Sequence, residues 1–261
     1  MKKYLKIFVL SILALSLLFA VGCGTKATTE EGKGEDVKTY KVGTDAAYAP
    51  FESVDPSGKI VGFDIDVLSA IAEAEGFKVE FINTKWDGIL ANLATNKMDI
   101  IVSAVTIDDE RKKEVDFSDP YFESTNYILV PKDSPIKSMV DLKGKKVAVQ
   151  QGTTGDMAIT KFLGKNYDGI KRFGGNPEAF LELKNGRVDA AVADSGVVVE
   201  YVKANPDQNL KIVKDEKFPK EYYGIAVKKG NTELLEKINS GLKKIKENGE
   251  YDRIYKKWGF Q

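Results

Sequence analysis

The sequence predicts an α/β protein built as two lobes. Strand-like and helix-like patterns alternate from Tyr40 onward, and the alternation restarts near Val147 as a second series with no simple repeat between the two. Alternating elements of this kind argue for open, mostly parallel sheets flanked by helices. Of the 261 residues, about 220 follow the N-terminal segments, enough for one sizeable core or two linked ones.

Residues 41–43 read as a short strand, and Asp55-Pro56-Ser57-Gly58 as a β-turn with proline and glycine in preferred places. Ile65, Leu68, Ile71 and Ala72 recur at helical spacing, with Gly76 where a C-cap belongs. Asp64 and Asp66 fall in the first turn of that helix, where the macrodipole favours acids, so they are read as structural and not as a catalytic pair. Residues 79–82 alternate as a strand, Ile89, Leu90 and Leu93 mark a helix, and residues 100–102 form the next strand. The second series runs from a strand at 147–149 through a helix near 177–184, a strand at 188–193 and a helix near 196–203. A strand at 224–227, a long helix at 232–247 and a shorter one reaching Trp258 end the chain. The second series reads as inserted into the first, so two segments cross between the lobes.

Lys2, Lys3 and Lys6 precede an apolar run at 7–21 broken only by Ser11 and Ser16. That run is short of the roughly 20 residues a membrane span needs, so residues 1–22 read as a signal peptide. Ala20-Val21-Gly22-Cys23 resembles a bacterial lipobox, although most carry Leu at the position of Ala20. Cys23 is therefore the expected lipidation site, and residues 23–38, poor in large apolar side chains, the flexible tether. This places the protein on the outer face of a cell membrane or in a periplasm. Gly24, in place of the Asp that retains lipoproteins in the Gram-negative inner membrane, favours a Gram-positive host.

Composition removes several classes of function. The chain has 39 basic and 39 acidic side chains; losing the three leader lysines leaves 36 basic, a net charge of −3 and no footprint for nucleic acid. With no histidine, Ser-His-Asp and Cys-His nucleophilic sites and histidine metal sites are excluded, and one cysteine makes neither a disulfide nor a zinc site. Residues 151–155 and 173–176 are glycine-rich without dinucleotide or phosphate-loop spacing, and no cofactor is implied.

The most informative stretch is residues 99–121. A strand ends in Ser103 and Thr106, and an acidic helix start then presents Arg111. A guanidinium fork matches a carboxylate bidentately, and hydroxyls add neutral hydrogen bonds. Taken alone, the run around Arg111 fits a solvated charged face better than a receptor. Gly152-Thr153-Thr154 follows a strand and opens a helix, where free N–H groups take an anion or the threonine simply caps. Asp194 precedes Ser195-Gly196 as a helix N-cap would, and Tyr48 and Trp86 alone would count as core aromatics.

Together these pieces resemble the solute-binding proteins of polar amino-acid ABC transporters. The resemblance runs from Val42 to Trp258. It rests on residues 43–52, 62–66, 86–89, 106–111, 116–121, 151–155 and 251–258, in family order. It implies the two-lobe, periplasmic-binding-protein-like (type II) fold. Lobe 1 would comprise 39–120 and 224–261, lobe 2 would comprise 126–218, and 121–125 with 219–223 would form the hinge. It also implies that Arg111 grips a ligand α-carboxylate, assisted by Thr106 and the backbone at Ser103 and Ala104. Thr153 and Thr154 would approach the same carboxylate, and Asp194 would pair with the α-ammonium. Tyr48 and Trp86 would wall the side-chain pocket, with Asp45, Gln150 and Glu52 at its polar end. That lining points to arginine or lysine, or to glutamine, with arginine tighter. Some relatives that prefer glutamine carry lysine where this chain has Gln150, and Asp45 disfavours acidic ligands. The implied partners are the amino acid and a membrane permease, with the protein a monomer and not an enzyme. A cyclohexadienyl-dehydratase-like enzyme of the same fold, or a sensor's ligand-binding protein, is the alternative.

Overall fold

A computed structural model of the chain describes residues 37–260. The leader, Cys23 and all of the tether before Val37 lie outside the described residues.

The two series form two separate five-stranded sheets. In the first, Lys78–Asn83, Thr39–Thr44, Ile100–Ile101, Ala226–Lys228 and Val115–Phe117 lie side by side in that order. The first three are parallel, and Ala226–Lys228 runs antiparallel to both its neighbours. The second sheet has the order Ile170–Phe173, Val147–Gln150, Ala190–Asp194, Asn126–Pro131, Leu210–Val213. Again the first three are parallel and the fourth is antiparallel to both neighbours. Between the sheets, Phe122–Ser124 and Glu221–Tyr223 pair antiparallel within the segments expected to cross.

Some elements differ from expectation. The helix expected over 89–93 is only Ala91–Ala94, because Gly88 turns the chain with φ 72° just before it. The last strand of the first sheet starts at Ala226 because the Gly224 N–H donates to Val105 O outside the ladder. Gly76 does cap the helix Phe63–Glu75 in the left-handed conformation.

An aromatic cluster anchors both crossing strands. Phe51 is fully buried, with ring centroids 4.9 Å from Phe122, 5.2 Å from Tyr223 and 5.5 Å from Phe260. Phe122 and Tyr223, one from each crossing strand, stack at 5.4 Å and 19°. Gly196, at the start of the helix Ser195–Ala204, meets the Phe51 ring so closely that a Cβ would lie 2.8 Å from it. Phe51 thus touches the first lobe, the crossing strands and the second lobe at once. Removing such a ring leaves a cavity that rigid strands cannot fill. Phe51→Ala is expected to cost about 3–5 kcal/mol in urea unfolding of the ligand-free protein, and a loss under about 1 kcal/mol would contradict the packing role.

Candidate functional site

Parallel strands present their carboxyl ends together, and open α/β sheets bind ligands there. Asp45 follows Thr39–Thr44, and Trp86 follows Lys78–Asn83. Ser103, Ala104 and Thr106 follow Ile100–Ile101. From the other sheet, Gln150 ends Val147–Gln150 just before Thr153 and Thr154, and Asp194 ends Ala190–Asp194. With Tyr48 and Arg111 they line one cavity, which brings together every residue expected to bind ligand except Glu52.

Arg111 opens the short helix Arg111–Glu114 and is held from several sides. Its Nη1 donates to Thr106 O at 2.8 Å and its Nη2 to Gly152 O, on the other lobe, at 3.2 Å. Its Nε lies 3.1 Å from Asp108, and the guanidinium sits 5.3 Å over the Trp86 ring. Burial lowers its pKa while Asp108 and Asp194 oppose the shift, and an arginine stays charged throughout.

Asp194 supplies the opposite sign. It occupies an N-cap position, yet its side chain makes no capping bond. Its Oδ2 instead accepts the Tyr223 hydroxyl, and its Oδ1 is buried with no donor among the described residues. Burial raises its pKa, against the Tyr223 and Tyr48 hydroxyls and the Arg111 charge. At the far end of the cavity, Gln150 Nε2 donates to Asp45 Oδ2 at 3.2 Å across the cleft. Burial raises the Asp45 pKa, and that amide bond opposes it.

Two expectations need correction. Glu52 does not line the cavity. It is fully buried beneath it, accepting the Ser103 hydroxyl at 2.8 Å, while Ser103 Oγ accepts the Asp45 N–H at 3.0 Å. Several expected donors also point elsewhere. The Ala104 N–H, from a residue with φ 46°, donates to Asp64 at 2.7 Å. The Thr106 and Thr154 hydroxyls donate to Glu221, and the Thr153 hydroxyl donates to Gln150 O and accepts the Asp156 N–H as a helix cap. Buried acceptors claim these protons because leaving an ionised oxygen unpaired costs more than a neutral bond gains. Arg111 and the N–H groups of the first turn of Thr154–Leu163 remain as donors for an anion.

Asp64 does more than meet a helix dipole. It is fully buried and also accepts the Tyr121 hydroxyl at 2.7 Å. Burial raises its pKa, and burial together with the Asp64 charge raises that of Glu52. Sequence reasoning missed Glu221 altogether. Lys220-Glu221-Tyr222-Tyr223 looks like an ordinary strand with a surface charge, and only the crossing geometry buries Glu221. Burial and the Asp194 charge push its pKa up to about 7.

The family described as bacterial extracellular solute-binding proteins, family 3, matches residues 40–261. The chain belongs to that family. A probable histidine-binding protein of Neisseria gonorrhoeae is 42% identical over 97% of this chain and 96% of its own length. The arginine-, lysine-, histidine-binding protein ArtJ of Geobacillus stearothermophilus superposes with a TM-score of 0.82 at 47% identity, covering 85% of this chain and 95% of that one. An ancestral arginine-binding protein solved with arginine gives 0.80 at 52% identity, over 85% and 98%. These family members share the two-lobe α/β fold described above.

Raised carboxyl pKa values have a sign that can be measured. Asp64, Glu52 and Glu221 all hold protons more tightly folded than unfolded. Folding therefore takes up protons between the ordinary carboxylate range and about pH 7, and stability falls as pH rises through that window. The lowered acids, such as Asp116, act only at more acidic pH. No histidine titrates in between. The thermal midpoint of the ligand-free protein is expected to rise by a few degrees from pH 8 to pH 6. A midpoint that falls over the same interval would contradict the assignment.

Proposed function

We propose that this chain captures a cationic L-amino acid, arginine ahead of lysine and glutamine, for an ABC importer. One observation carries the reading: Asp194, whose buried Oδ1 has no donor among the described residues, lines the same cavity as Arg111. A zwitterion leaving water needs a partner of opposite sign for each charge. Arg111 takes the α-carboxylate, and Asp194 takes the α-ammonium. Asp45 and the Trp86 face are then left for a side chain, and both favour a cation. Arginine-binding relatives of similar sequence support this choice.

Closure completes the site, because its two halves belong to different lobes. The crossing segments 121–125 and 219–223 serve as the hinge between lobe 1 (39–120, 224–261) and lobe 2 (126–218). Ligand shifts the population toward the closed form, and the permease reads that form. The chain works by binding, without catalysing a reaction, and as a monomer. After export by the 1–22 leader, lipid on Cys23 holds it at the outer face of the membrane through the 23–38 tether.

Isothermal titration of the purified protein against arginine, lysine, histidine and glutamine tests the ligand. Arginine is expected to bind most tightly. Arg111→Ala should weaken it by about a hundredfold or more, since truncating one partner of a desolvated charge pair costs about 2–5 kcal/mol. Asp45→Asn should narrow the gap between arginine and glutamine. Undiminished binding by Arg111→Ala, or tight binding of glutamate in place of these four, would overturn the reading.

A further inference from the structure

Glu221 belongs to neither five-stranded sheet. It starts the crossing strand Glu221–Tyr223 and is only 8% exposed. Its Oε2 accepts the Thr106 hydroxyl at 3.1 Å and the Thr154 hydroxyl at 2.7 Å. Its Oε1 accepts the Asn126 amide at 3.0 Å. Thr106 follows a strand of the first sheet, and Thr154 opens a helix packed on the second. One carboxylate oxygen thus holds a hydroxyl from each lobe. Glu221 is not part of the cavity lining, although both threonines are.

We infer that Glu221 is a latch on the closed form: a positioning residue that ties Thr106 to Thr154 and slows ligand release without touching the ligand. This rests on the reading of the cavity as a site that closes on its ligand. A hydrogen bond to an ionised acceptor is roughly twice as strong as a neutral one. Separating the lobes must strip at least one threonine from Glu221, because the two move with different bodies. The interaction exists only when the lobes are shut, so it acts on opening. Two further groups bear on the carboxylate. Asp194 repels it and Arg111 attracts it, and burial adds to the Asp194 effect in holding its pKa high.

Glu221→Ala and Glu221→Gln test this with two readouts. Stopped-flow release of the tightest ligand from the four-amino-acid titration should be about tenfold faster for Glu221→Ala, with capture changed far less. Glu221→Gln keeps one acceptor oxygen and should fall between that variant and the wild type. Small-angle scattering, which needs no ligand, should give Glu221→Ala a larger ligand-free radius of gyration than the wild type. Failure of the wild type to bind any of the four counts against the ligand reading, and scattering then decides the latch on its own. Equal radii with equal release rates overturn it.

Discussion

Two charges of opposite sign, fixed where water is scarce, set the terms for this fold. Arg111 and Asp194 sit on different lobes and line one cavity. Neither is free to move toward a better-solvated position. Arg111 is pinned by two carbonyls, Asp108 and the Trp86 face, and Asp194 by the Tyr223 hydroxyl. Orientation of this kind is what makes a buried charge useful, because the cost of desolvation is met during folding and not at each binding event. The two sheets exist to bring the carboxyl ends of their strands to this place.

Beneath the charges lies a second layer that sequence motifs hide. Glu52 and Asp64 are both fully buried and hold Ser103 and Ala104 through short hydrogen bonds, and Ser103 in turn accepts the Asp45 N–H. Glu221 gathers a threonine from each lobe. The cleft and its supports are thus rich in carboxyls whose pKa burial raises. Asp45 and Asp194 face the cavity itself, against one arginine. That surplus of negative charge fits the proposed cationic ligand, whose extra charge a neutral amino acid lacks.

Much of this was legible in the chain. Periodicity located the strands and the helix Thr232–Glu247, and glycine marked the cap at Gly76. Every residue proposed for the cavity lining except Glu52 is there. What could not be read follows one pattern. Arg111 and Asp194 each looked ordinary in their own segment, since a charge run and an N-cap are local explanations. Their shared cavity is a long-range fact that only the resemblance supplied. Glu52 was placed in the pocket and lies under it, because sequence does not say which side of a turn a carboxyl takes. Glu221 gave no local sign at all, since its burial comes from two strands that are distant in sequence and cross side by side. The hydroxyls of Thr106, Thr153 and Thr154 looked like ligand donors for the same reason: nothing in sequence reveals which buried acceptor will claim them.

The central claim is that each ligand charge has its own protein partner on a different lobe. Calorimetry with arginine analogues that lack one group at a time tests it most directly. Agmatine lacks the carboxylate that Arg111 is assigned to hold, and 5-guanidinopentanoate lacks the ammonium assigned to Asp194. The account predicts that each analogue binds at least about a hundredfold more weakly than arginine. It further predicts that Arg111→Ala no longer discriminates agmatine from arginine. Either analogue binding the wild-type protein as tightly as arginine would contradict the account.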